Sequence, residues 1–268
     1  MTVEYTRLPS GLTVVTQNMP HIESVAIGTW IKSGSRNEFA NEHGIAHLLE
    51  HMAFKGTKRR TARQIAEEIE NVGGEVNAAT STETTSYYAR VLKDHLPLAV
   101  DILADILTNS AFDEEELARE KNVIMQEIGA ASDIPDDVVF DNFAGAAYRD
   151  QMIGRPILGT AETVMGFTPD DIRRYLARNY TTDRIYIVAT GAVDHDAFAR
   201  LVADRFAALP QKPATPPLVE PASYTGGEAR EVRTLSDAQV ILGFEGPAYH
   251  AQDFYCSQIL ANVLGGGM

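Results

Sequence analysis

The chain has 268 residues, with 23 Lys and Arg against 37 Asp and Glu, a formal net charge of −14, and 44% hydrophobic residues. That apolar content suffices for a sizeable core and excludes a disordered chain or a small stapled scaffold. The acidic balance argues against a nucleic-acid surface, which needs a basic footprint; it would suit cationic partners, but a soluble acidic surface is the preferred reading.

Residues 4–31 read as β. A hairpin turning at Pro9-Ser10-Gly11 joins Tyr5–Leu8 to Leu12–Gln17, and Ser24–Ile31 follows as a buried strand. From Asn41 the period becomes helical: Ile45, Leu48, Leu49 and Met52 share a face over 42–53, and Gly56 is a stop. Thr61-Ala62-Arg63-Gln64 is a capping box for a second helix running to about Val72. Two β segments follow at Glu75–Ala79 and Thr84–Leu92, and helical patterns then run from His95 to about Tyr148. Asp113 is the N-cap within that stretch, with Glu114, Glu115 and Glu116 in the first turn, where the helix dipole favours acids. Thr168-Pro169 opens a helix to Asn179, Arg184–Thr190 is a strand, and Asp194–Leu209 is a helix.

Early strands, a run of helices and a returning strand predict an α+β fold with a largely antiparallel sheet packed against helices. Five of the twelve prolines fall within Pro210–Pro221, the signature of a semi-rigid linker. Residues 1–209 therefore read as one complete domain, 210–222 as the linker, and 223–268 as the incomplete start of a second α+β domain. In that last part Ala229–Phe244 reads as β and Asp253–Leu264 as helix.

The chemistry concentrates in His47-Leu48-Leu49-Glu50-His51. Residues four apart share a helix face, so both imidazoles can reach one ion, while Glu50 at the edge of that face can reach a water. This is the inverted form of the zinc-peptidase motif. His43, one turn earlier, shows that the stretch is also simply His-rich. A catalytic zinc site needs a third ligand and one open position. Glu114, Glu115, Glu116, Glu120 and Glu127 are the candidates. The triplet is better explained by the helix dipole, and the residues alone do not choose between Glu120 and Glu127.

The segment from Gly44 to Thr57 resembles the inverted-motif zinc metallopeptidases of the pitrilysin, insulin-degrading enzyme and mitochondrial processing peptidase family, and is most similar to its processing-peptidase-like bacterial members. Arg119–Glu127 resembles the stretch where that family keeps two glutamates seven apart. The resemblance implies Glu127 as the third ligand of one Zn2+ per chain, with His47 and His51, and Glu120 as an outer carboxylate that orients a ligand or water. Gly73–Ser81 resembles the family's edge strand that receives substrate as an added strand, which implies Asn77 and Ala78 as substrate-binding positions. For Asn77 a strand-end turn role is an equal reading from the residues.

The expected activity is hydrolysis of extended peptides or presequences, possible substrates including basic ones, with Glu50 as general base. The family forms two-domain halves that close on substrate as a homodimer or a heterodimer with a family subunit, and its assisting Arg and Tyr would lie beyond Met268. Peptidase activity of this chain alone is therefore expected to be impaired, and the alternative is a structural partner subunit or a peptide-binding module. Asp133, Asp136, Asp137 and Asp141 read as a solvated helix face. One cysteine, Cys256, excludes a disulfide framework. No apolar run is long enough for a membrane span, and Met1–Tyr5 carries no export signal. These features predict a cytoplasmic location, with an organelle matrix compatible where a transit peptide has been removed.

Overall fold

A computed structural model describes residues 2–213, 215–218 and 220–266. The chain begins with the hairpin β1 (Val3–Arg7) and β2 (Thr13–Asn18), then β3 (Ser24–Ile31). Helices α1 (Ile45–Ala53) and α2 (Ala62–Glu70) follow, then β4 (Glu75–Thr80) and β5 (Thr85–Leu92). Three helices come next, α3 (Leu96–Thr108), α4 (Glu114–Asp133) and α5 (Pro135–Ala147). The short α6 (Ala161–Gly166), α7 (Pro169–Asn179), β6 (Ile185–Gly191), α8 (His195–Arg205) and α9 (Phe254–Gly265) complete the order.

The predicted caps form as read. Thr61 and Gln64 satisfy each other's backbone N–H groups, Asp113 accepts from Glu115 and Glu116, and Thr168 accepts from Asp171.

The six strands make one sheet in the order β1-β2-β6-β3-β5-β4. All pairings are antiparallel except β2 with β6. The late strand β6 therefore enters between β2 and β3, so the sheet is complete only at residue 191. Alternation sends Val25, Ile27 and Ile31 to one face, where they are buried with Val100, Leu103 and Ile106 of α3 and with Val202 of α8. Trp30 and Tyr88 point from the other face and remain exposed.

The expected strand at 229–244 does not form. Val232, Val240, Leu242 and Phe244 are more than 80% exposed. The sheet's end strands β1 and β4 pair only with β2 and β5, and an isolated extended segment has no ladder to satisfy its backbone. The chain just before that segment is tethered near Ala147: Thr225 N–H donates to the Ala147 carbonyl at 2.8 Å, and the Gln151 side chain bonds both backbone groups of Ser223. The predicted helix forms as α9, with Tyr255, Ile259, Leu260, Val263 and Leu264 exposed.

Candidate metal centre

Helix α1 begins at Gly44, whose φ of +94° and close backbone neighbours leave no room for a side chain: a Cβ there would lie 2.8 Å from Gly159 Cα. Gly44 has no side-chain acceptor to offer, yet the first turn of a buried helix carries unpaired N–H groups. Glu38 supplies the acceptor from the preceding loop, taking the Gly44 N–H at 2.9 Å and the Ala46 N–H at 2.8 Å. Burial pushes the Glu38 carboxyl up to about 8, against the opposing pull of those two N–H groups. The same loop is pinned by Glu42, whose carboxylate is paired with the buried Arg178 of α7.

Ile45, Leu48, Leu49 and Met52 bury the apolar side of α1. The other side presents His47 and His51, their rings 4.7 Å apart between centroids and edge to face. Glu127 of α4 reaches both, its Oε2 lying 3.6 Å from His47 Nε2 and 3.7 Å from His51 Nε2. One donor atom from each of the three residues falls within 4.8 Å of the other two.

Glu120, one heptad earlier on α4, is buried and accepts from His51 Nδ1 at 3.0 Å. Its other oxygen takes the Lys55 ammonium at 2.7 Å. Both oxygens of Glu120 are therefore occupied, whereas the inward oxygen of Glu127 is buried without a hydrogen-bond partner. That contrast separates the two glutamates that the residues alone left equal.

The donor set suits a divalent cation. Two imidazoles and a carboxylate are the ligand types zinc takes, and Glu127 Oε2 is an orphaned buried acceptor aimed between the rings. Burial, aided by His51 and opposed by Glu127, lowers His47 to about 4, so at neutral pH it offers a lone pair and not a proton.

Glu50 is half-buried on the same helix. Below it, Tyr87 and Tyr180 form a wholly buried hydroxyl pair at 3.2 Å; burial raises both above the ordinary tyrosine range, and the Glu50 charge adds to the effect. Beside α1, β4 forms an end of the sheet. The turn bond from Ser81 N–H to Thr84 O fixes the alternation, which leaves Val76, Ala78 and Thr80 with backbone groups toward the open side. Asn77 Oδ1 accepts the Ala78 N–H at 2.8 Å on that side. An apolar groove of about 330 Å³ runs along α2 and β4, lined by Phe54, Ile65, Ala66, Ile69 and Val76 among others.

The family description "Insulinase (Peptidase family M16)" matches residues 13–161, more than half of the chain. The chain belongs to peptidase family M16. A second description of the family, "Peptidase M16 inactive domain", matches residues 166–268. A Rickettsia bellii protein named as an uncharacterized zinc protease is 45% identical over 98% of this chain and 63% of its own length. The probable β subunit of the mitochondrial processing peptidase of Arabidopsis thaliana is 41% identical over 97% of this chain and 50% of its own. The chain thus spans between half and two thirds of these relatives. Among solved structures, a Helicobacter pylori protease superposes with a TM-score of 0.77 at 24% identity, covering 83% of this chain and 54% of that one, which shows the shared fold.

Residue reading missed Glu38 and Lys55. Neither has a local signal: Glu38 caps a helix that starts six residues later, and Lys55 meets a carboxylate from another helix. Among the described residues no helix is long and apolar enough to cross a membrane.

Proposed function

We propose that this M16 chain is a zinc-dependent endopeptidase acting on extended peptides, including cationic presequence-like ones. The observation that carries the reading is the convergence of His47, His51 and Glu127 within 4.8 Å, with an orphaned carboxylate oxygen between the rings. These three side chains would hold the metal, and Glu120 would fix the tautomer of His51 by accepting from Nδ1. Zinc bound there would supply Lewis acidity toward a water and the scissile carbonyl.

The remaining work falls to the chain's own residues. Glu50 accepts the proton of the attacking water and returns it to the leaving amine. The open side of β4 receives the substrate backbone as an additional strand, with the Ala78 N–H exchanging Asn77 Oδ1 for a substrate carbonyl. Main-chain pairing tolerates sequence, and the net charge of −14 favours cationic peptides. In this reading residues 1–209 are the catalytic domain, 210–222 the linker and 223–268 part of a second domain, and the working unit is a homodimer or a heterodimer with another family subunit.

The test is Glu50→Gln, assayed with an unstructured basic peptide alongside metal analysis. The expected result is one zinc per chain in both proteins and a loss of turnover of about 10²–10⁴. Turnover within a few-fold of the parent would remove Glu50 from the chemistry.

A further inference from the structure

The two glutamates of α4 compete for one histidine. Glu120 Oε2 sits at His51 Nδ1 and Glu127 Oε2 at His51 Nε2, so the two carboxylates occupy the two nitrogens of a single imidazole. A heptad apart on one helix, they face the same way and carry the same charge. Nothing in their chemistry makes one a ligand and the other a support. Their surroundings differ: Glu127 reaches both histidines and Glu120 only His51, and Glu120 alone has a cation beside it.

Lys55 follows α1 directly, four residues after His51, and its N–H is bonded to the Met52 carbonyl at 3.2 Å. The ammonium lies 2.7 Å from Glu120 Oε1. The Glu120 side chain is 8% exposed, so without that ammonium it would be a buried anion held by the His51 N–H alone. The Glu127 side chain is 40% exposed, and among the described residues its close ionic neighbours are the two histidines alone. We infer that Lys55 is a positioning residue that assigns the two roles: by fixing Glu120 against His51 Nδ1, it keeps Glu120 out of the ligand set and leaves the metal to Glu127. Without the ammonium, the nearest compensation for Glu120 is the metal itself, and the carboxylate swings toward it.

This inference rests on the zinc reading above, and the two fail separately. The full chain is compared with Lys55→Met, Lys55→Arg, Glu120→Gln and the Lys55→Met/Glu120→Gln pair, measuring zinc Kd by chelator competition and the visible absorption of the Co2+ form. Lys55→Met is expected to raise the zinc Kd about 10–100-fold, because Glu120 releases His51 Nδ1 and the imidazole loses its orientation, and to weaken the Co2+ bands as a further oxygen ligand enters. Lys55→Arg restores both. In the Glu120→Gln background Lys55→Met adds nothing, because Lys55 acts through Glu120. An unchanged Kd and spectrum in Lys55→Met, or the same penalty with and without Glu120, overturns the inference. Should Lys55→Met fail to fold, Lys55→Gln carries the same comparison. Undiminished zinc affinity in Glu127→Gln would instead overturn the three-ligand reading, whatever the Lys55 series shows.

Discussion

Glu38 caps a helix it does not belong to, with a carboxyl oxygen 2.8 Å from the backbone nitrogen of Ala46, the residue immediately before the first histidine of the motif. The orientation of the motif thus depends on a loop side chain that is 1% exposed. Because burial raises this carboxyl from its ordinary 4.5 to about 8, the folded state holds the proton more tightly than the unfolded chain. Its contribution to stability is present in full below the unfolded value and is lost as pH rises through about 8. Glu38→Gln removes the titration. Melting temperature followed from pH 4.5 to 9 should fall more steeply for the parent than for Glu38→Gln. Parallel profiles would contradict the assignment.

A second consequence concerns Arg178, 4% exposed and paired with Glu42 beneath the loop that leads into α1. Its guanidinium also lies over the Phe39 ring at 4.2 Å. Arg178→Met strands a buried carboxylate and should cost about 3–5 kcal/mol, read from denaturant unfolding. Arg178→Met/Glu42→Gln, which removes both charges, should recover much of that loss. No recovery would mean that the aromatic packing, and not the ion pair, is what Arg178 provides.

The zinc assignment predicts that Glu127→Gln lowers bound metal from one per chain to well below one after dialysis, while far-UV circular dichroism is unchanged. Its inward oxygen has no other partner, so the substitution removes no hydrogen bond of the fold. Equal zinc in both proteins would exclude Glu127 as a ligand.

Substrate docking on β4 can be tested without touching the metal. Ala78 belongs to a non-hydrogen-bonded pair with Tyr87, so Ala78→Pro deletes an outward N–H and leaves the ladder intact. One lost hydrogen bond corresponds to about 1 kcal/mol. The KM for an extended peptide should rise about 5-fold at unchanged zinc content. An unchanged KM would place the substrate elsewhere.

The strands and caps were readable because each is decided within a few residues: Thr61 with Gln64, Asp113 with Glu115 and Glu116, and the period-two alternation of Ser24–Ile31. The His47-Glu50-His51 constellation was readable for the same reason, being written within one turn of helix. What separates Glu120 from Glu127 was not, since the partners that occupy Glu120, His51 and Lys55, lie 69 and 65 positions away in sequence. The expected strand at 229–244 failed on the same principle: alternation describes a face, but only a neighbouring strand makes it a ladder.

The placement of β6 has a bearing on how the molecule is assembled in time. Helix α1 and both strands of the β4–β5 hairpin are made from residues before 93, yet the strand joining β2 to β3 arrives only at residues 185–191. Until then the nascent chain holds two separate half-sheets with open edges. Pairings between segments so distant in sequence close slowly. The rate-limiting step of folding should therefore be the insertion of this central strand, and a chain stalled on the ribosome before it would carry the complete motif on an unfinished support.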